Sequence, residues 1–302
     1  MRTVLRADLY RVLRDEAERR GIRVEYGKRL TGASDTGDGV RAEFADGGHA
    51  EGDLLIGADG LHSRVRGLID PEAPDPCYLG LLNTGGHARD VAVDGRPGTT
   101  YMIFGKRCFF GYMPHPDGGV WWFANPPRRT EPGGAELDAI TDERWRAELI
   151  RLAEVDKGPA KAIAEASTHI YRPWPTYDVP SVPNGHRGRM IIVGDAAHAT
   201  SPASGQGASM AMEDTVTLAR CLRDVDGTRA AFARYQRLRR ERVEAIVAQG
   251  RRNTGNKTPG PVGRLLRDFF IAKAFKKITA SPEDPQRWMW DHHIEWSAPI
   301  AA

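Results

Sequence analysis

Two short segments of this chain are apolar at every step and then end in glycine and aspartate: Leu54-Leu55-Ile56-Gly57-Ala58-Asp59 and Met190-Ile191-Ile192-Val193-Gly194-Asp195. A half-exposed strand alternates between core and water, so a continuous aliphatic run bounded by glycine is predicted to be a strand buried on both faces. Such strands belong to open α/β sheets, which hold ligands at their carboxyl edges. The aspartate at each tip can accept hydrogen bonds from hydroxyl groups, and the neighbouring glycines let backbone amides come close to a bound molecule. The competing role for either aspartate is to cap a turn or a helix.

At about 150 residues per domain, 302 residues make roughly two domains, each large enough to bury a core. A hydrophobic fraction of 40% and a balance of 43 Lys+Arg against 40 Asp+Glu exclude a disordered or collagen-like chain. No basic run is interleaved with aromatics, so no nucleic-acid partner is expected. No stretch approaches the roughly 18 apolar residues of a membrane span, and the first residues lack the apolar core of a signal peptide. The expected location is the cytoplasm, without a membrane. Cys77, Cys108 and Cys221 are odd in number and far apart, the pattern of reduced core thiols; neither a disulfide framework nor a metal site is expected. His292 and His293 are adjacent and diverge on either a helix or a strand.

Along the chain, residues 4–20 read as an amphipathic helix with Leu5, Leu9, Val12 and Leu13 on one stripe, stopping at Gly21. Residues 22–26 and 40–44 read as small antiparallel strands, with hairpin turns between Thr31 and Gly39. A helix is expected from His62 to Leu68. The prolines and acids of residues 70–76 mark the crossing into a second domain. There, residues 101–104, 109–113 and 120–124 form an aromatic meander, one face of which is expected to line a cavity. Phe110, Tyr112 and Trp122 are candidates for that wall, with core packing as their alternative role. A helix over about 141–155 and a Pro-rich return from Arg172 to Pro183 lead back to the first domain. Helices are expected over 207–222 and 231–250, and a basic amphipathic helix over 264–278, packed on the domain with its lysines in water.

The loop Ser201-Pro202-Ala203-Ser204-Gly205-Gln206-Gly207 runs into a helix whose free N–H groups and positive dipole end favour negative charge. A flat ring could approach the backbone past Ala208, Ser209 and Ala211, and a phosphate is the competing occupant. The stretch Gly194-Asp195-Ala196-Ala197-His198 through Ser201-Pro202 and Gly205-Gln206-Gly207 to Glu213-Asp214 and Leu218-Ala219 closely resembles the second FAD motif of the flavoprotein aromatic hydroxylases, the p-hydroxybenzoate hydroxylase-like monooxygenases. The segment Asp53 to Arg66 resembles that family's Asp-Gly motif, and Arg6-Ala7-Asp8-Leu9 its arginine helix. The three motifs occur in family order and cover residues 1 to about 250.

The resemblance implies a Rossmann-like FAD-binding domain of residues 1–74 and 172–302, an inserted antiparallel-sheet substrate domain of residues 75–171, and C-terminal helices. It implies that Asp195, after Gly194, binds the ribityl chain; that Gly205, Gln206, Gly207 and Ala208 face the pyrimidine edge of the flavin; and that Pro202 lies beside the ring. Arg6 would contact the cofactor, and Asp59 and Gly60 would serve the diphosphate and the nicotinamide nucleotide. His198 and Glu213 belong to the pattern with structural roles expected. Ser209 stands where the family commonly has Asn. The family's opening strand, G-x-G-x-x-G and helix, which holds the ADP half of FAD, does not occur in this sequence. A truncated fragment, or a subunit needing a separate N-terminal half, is therefore an expected alternative to an active enzyme.

The activity implied is hydroxylation of an aromatic, polycyclic or electron-rich small molecule with NAD(P)H and O2, through a flavin hydroperoxide, by a chain that could pair as a homodimer. A reductase or a halogenase on the same scaffold is the rival. Arg172-Pro173-Trp174-Pro175 does not match the W-x-W-x-I-P signature of halogenases. No catalytic base is identifiable.

Overall fold

The computed structural model describes residues 4–257, 259–280, 284 and 286–300. Helix α1 (Arg6–Arg19) is followed by strands β1 (Leu30–Asp35), β2 (Val40–Phe44), β3 (His49–Gly52) and β4 (Leu55–Gly57), then helix α2 (Arg64–Ile69). The middle of the chain holds β5 (Cys77–Ala88), β6 (Tyr101–Phe104), β7 (Phe109–Pro114), β8 (Val120–Asn125), α3 (Gly134–Asp138), α4 (Asp142–Ala153), α5 (Ala160–Glu165), β9 (Ser167–Ile170) and β10 (Trp174–Asp178). The last third holds β11 (His186–Arg187), β12 (Met190–Ile192), α6 (Asp195–His198), a 3₁₀ turn (Pro202–Ser204), α7 (Gly207–Asp224), α8 (Thr228–Gly255), α9 (Pro261–Ala280) and α10 (Arg287–Trp290).

The architecture is mixed α/β, with three sheets among the described residues. In the first, β1, β2 and β3 form an antiparallel meander. Residues 22–26, expected to be a strand, are not one, and the partner of β2 is Leu30–Asp35, where turns were expected. The physical reason is loop length: Thr36–Gly39 closes a tight hairpin, with the Asp35 carboxylate accepting from Gly37 N at 2.8 Å and Thr36 Oγ1 accepting from Gly39 N at 3.1 Å. The second sheet runs β10-β5-β8-β7-β6, with β9 also on β5. Because β10 pairs with β5, the strand after residue 172 remains in this sheet. The third sheet places β12 between β11 and β4; β12 is buried on both faces as expected, but β4 lies at the sheet edge with Ile56 42% exposed, so only one of the two apolar strands is fully buried.

The large sheet packs one face on α4 and α5. Phe110, Tyr112, Trp122 and Ala124 point there and meet Trp145, Leu149 and Ile163 in the main core. Phe110 stacks on Trp122 at 5.3 Å, and Tyr112 on Tyr101 at 5.2 Å, between ring centroids. Burying several aromatic side chains contributes about 1.5–3 kcal/mol each. Trp122 Nε1 donates to Ser167 Oγ at 2.8 Å, so its polar edge is satisfied inside that core. The expected cavity wall of Phe110, Tyr112 and Trp122 is thus corrected: all three lie in the core between sheet and helices. Strand alternation sends their neighbours Phe109, Gly111, Phe123 and Asn125 to the opposite face, turned toward the end of α8 and α9.

Two helices depart from their expected packing. No residue of α1 is buried, and Leu9, Val12 and Leu13 all lie open on its surface. In α9 the expected pattern is inverted. Arg267 is buried, donating to the carbonyls of Lys257 and Phe104, whereas Leu265, Leu266, Phe269 and Phe270 are exposed. The side chains of Lys276 and Lys277 lie outside the described residues. Cys108 and Cys221 are buried free thiols as expected, but Cys77 is exposed at the start of β5. Among the described residues, no helix is long and apolar enough to cross a membrane.

Candidate functional site

β4 and β12 are neighbours in parallel register, with Leu55 opposite Met190 and Gly57 opposite Ile192. Their carboxyl ends therefore leave the same edge of the sheet side by side, bringing Asp59 and Asp195 to adjacent strand tips. Arg66 ties the two tips together from below. Its guanidinium is buried and donates to Leu61 O at 2.8 Å and to Ala196 O at 2.9 Å.

The two aspartates do different work. Asp59 caps α2: Oδ1 accepts from Ser63 Oγ at 2.5 Å, and Oδ2 from Arg64 N at 2.7 Å and Val65 N at 3.1 Å. Gly60 continues that turn with a left-handed φ of 80°. Asp195 has an exposed carboxylate with no hydrogen bond or ion pair to another described residue. Of the two, it is the carboxylate free to bind something else.

Gly194, just before it, has φ 59° and ψ −139°, a conformation that costs an L-residue of any other type about 1–2 kcal/mol. The turn is held from within the protein. Asp214 on α7 accepts Gly194 N at 2.8 Å and His198 Nε2 at 2.5 Å on Oδ2, and Arg239 Nε at 2.7 Å on Oδ1. Glu213 beside it pairs with Arg239 Nη1 at 2.7 Å and bidentately with Arg242. Burial raises the pKa of both carboxyl groups. The hydrogen bonds and charges of His198 and Arg239 on Asp214, and of Arg242 and Arg239 on Glu213, outweigh it and hold both below the usual carboxylate range. His198 and Glu213 are therefore placed in the scaffold that fixes the strand tip, and Asp214 is its centre.

From α6 the chain passes through Ser201 and the turn Pro202–Ser204 to Gly205, left-handed at φ 66°, and into α7. Gln206 at the cap of α7 makes no side-chain hydrogen bond to the helix end, so the first amides of Gly207, Ala208 and Ser209 lack capping partners. This loop is braced by α8: Thr254 Oγ1 bonds Ser201 Oγ at 2.6 Å, and Asn253 Nδ2 donates to Ala203 O at 3.0 Å. A cleft of about 360 Å³ runs along the start of α7 between Gln206, Ser209 and Met212 on one side and Met289, Trp290 and His292 on the other. Arg6 is exposed at the start of α1 and makes no ion pair to a described residue.

The arrangement suits a long polar molecule with a flat, electron-accepting ring. A free carboxylate stands at a strand tip for hydroxyls, and an uncapped 18-residue helix points its positive end across a glycine-lined loop. These features fit a flavin nucleotide.

Residues 1–250 match the family model described as FAD binding domain. The chain is 34% identical over 252 residues to the FAD-dependent urate hydroxylase of Klebsiella pneumoniae, covering 82% of this chain and 63% of that protein. It is 36% identical over 227 residues to the aurachin C monooxygenase/isomerase of Stigmatella aurantiaca, covering 74% of this chain and 56% of the relative. The crystal structure of Klebsiella pneumoniae HpxO complexed with FAD and uric acid superposes with a TM-score of 0.75 at 29% identity, over 92% of this chain and 72% of that one. The chain thus spans less than two thirds of the length of these curated relatives.

Proposed function

The chain belongs to the family of FAD-dependent aromatic hydroxylases, and on that premise we propose that the whole protein hydroxylates an aromatic or heterocyclic small molecule with NAD(P)H and O2. The observation that carries the assignment of the site is the difference between the two aspartates: Asp59 is consumed by α2, while Asp195 has no partner among the described residues and follows the Gly194 turn that packs on α7. In this reading Asp195 takes the ribityl hydroxyls, and Gly205, Gln206, Gly207 and Ala208 face the pyrimidine edge of the ring, with Pro202 against its side. Gly194 fixes the approach of Asp195. Asp59 and Gly60 shape the turn beside the diphosphate, and Arg6 contacts the cofactor from α1.

FAD, when bound, supplies hydride acceptance and oxygen activation. The protein's own part is positional and electrostatic. The positive end of α7 would favour negative charge on a flavin ring held beside it. The substrate is held between the loop 202–207 and the face of the large sheet that carries Phe109, Phe123 and Asn125, where the aromatic rings help to exclude water from the reacting atoms. Residues 1–74 and 172–302 are proposed as the FAD-binding part and residues 75–171 as the substrate part, with β10 reaching from the former into the sheet of the latter, in a cytoplasmic enzyme. The test is to add FAD to the purified protein, follow NAD(P)H oxidation with candidate aromatic substrates under isotopically labelled dioxygen, and weigh the product. Label in the product supports a monooxygenase; NAD(P)H oxidation with no label in any product rejects it in favour of a reductase.

A further inference from the structure

Beyond the flavin contacts, one buried cation has no counter-charge among the described residues. Lys257 follows α8, 9% exposed, and its Nζ lies 4.5 Å over the ring of Phe109 on the substrate-side face of the large sheet. It donates to Asn125 Oδ1 at 2.6 Å. From there a chain of amides crosses the sheet: Asn125 Nδ2 donates to Asn83 Oδ1 at 2.7 Å, and Asn83 Nδ2 to Thr176 Oγ1 at 2.8 Å. Both N–H groups of Asn125 are committed, the second to Leu82 O at 3.3 Å, so its oxygen is turned toward the amine, which makes this one hydrogen bond among the described residues.

The other buried cations are satisfied in visible ways. Arg239 pairs with Asp214 and Glu213, Arg267 with Asp268, and Arg66 with two backbone carbonyls. Lys257 has one neutral amide and an aromatic face, and among the described residues no carboxylate reaches it. An ammonium desolvated without a counter-charge is strongly unfavourable, and burial pushes its pKa down to about 8. Its position is tied to the loop already assigned to the flavin: one turn earlier, Thr254 and Asn253 grip Ser201 and Ala203. The cation is therefore fixed between that loop and the aromatic sheet.

We infer that Lys257 is a specificity-determining residue that donates to an anionic oxygen of the ring substrate, a carboxylate or an ionised phenol, at the junction of the loop 201–204 and the large sheet. The inference rests on the flavoenzyme reading for its setting. Asn125, Asn83 and Thr176 act as the relay that holds the amine in place, while Phe109 provides the floor.

The experiment is calorimetric titration of the full chain, with and without FAD, using two pairs of probes: 4-hydroxybenzoate against 4-hydroxybenzamide, and 4-nitrophenolate against 4-nitroanisole. A charge-assisted hydrogen bond in a desolvated site predicts that at least one anion binds about tenfold or more tighter than its neutral partner. Which pair discriminates tells a carboxylate from a phenolate. Lys257→Met should abolish that preference, and Lys257→Arg should restore most of it, a pattern that simple loss of packing would not produce. Equal binding within both pairs, no binding of any probe, or discrimination that survives in Lys257→Met overturns the inference. Absence of FAD binding with the anion preference intact removes the flavin reading and leaves the lysine's role standing.

Discussion

Asp214 is the residue whose loss should be felt most widely, because one buried carboxylate joins three elements. It is 0% exposed and accepts from Gly194 N, His198 Nε2 and Arg239 Nε at 2.8, 2.5 and 2.7 Å. Removing one partner of a buried pair typically costs about 3–5 kcal/mol, since the other charge is left uncompensated. Glu213 still holds Arg239 at 2.7 Å in an Asp214→Ala variant, which places the cost near the lower end, about 3 kcal/mol. For a chain of 302 residues that lowers Tm by about 5 °C. The pH dependence has a definite sign. The folded-state pKa of Asp214 lies below its unfolded value, so its contribution is present above the unfolded pKa and is lost as pH falls through the folded one. Thermal melts of wild type and Asp214→Ala should therefore differ fully at pH 7 and converge as the solution is acidified below about pH 4. A Tm loss under about 2 °C at pH 7, or a gap that stays constant on acidification, would refute the reasoning.

Three further outcomes are expected. Asp195→Ala should leave Tm within about 1–2 °C of wild type, because the exposed carboxylate has no partner among the described residues, while FAD affinity drops about tenfold or more in a fluorescence titration. A Cβ at Gly111 would lie 2.4 Å from the Phe123 ring, so Gly111→Ala should force that ring aside, cost about 1–3 kcal/mol in denaturant unfolding, and weaken binding of aromatic ligands relative to FAD. With a thiol reagent under native conditions, Cys77 should react promptly. Cys108, buried and with its pKa pushed up to about 12, and the buried Cys221 should react only on unfolding.

Much of the scaffold was legible because its signals are local. Continuous aliphatic runs ending in glycine and aspartate marked β4 and β12, and glycine-bounded aromatic runs marked β6, β7 and β8. What stayed hidden depends on partners far away in sequence. Phe110 and Phe109 are adjacent and equally aromatic; period-two alternation says that they face opposite ways, but only α4 and α5 decide which face is core. Asp59 and Asp195 share one grammar, and the difference lies in Ser63 and the helix amides that occupy Asp59. Asp214 was visible within the quoted motif, yet nothing local signals that its carboxylate reaches back to Gly194. Lys257 reads as an ordinary helix-end lysine until Asn125, far along the chain, is seen beneath it. In α9, Arg267 is drawn inward by carbonyls of Lys257 and Phe104, which hydrophobic periodicity cannot anticipate.

Hydrogen–deuterium exchange of the full chain, with and without FAD, bears most directly on the placement of the flavin. Added FAD should slow exchange over residues 194–208 and the adjoining turn at residues 57–61, and Asp195→Ala should diminish that protection. Protection that falls elsewhere, or binding of FAD that leaves both segments exchanging at their original rates, would contradict the account.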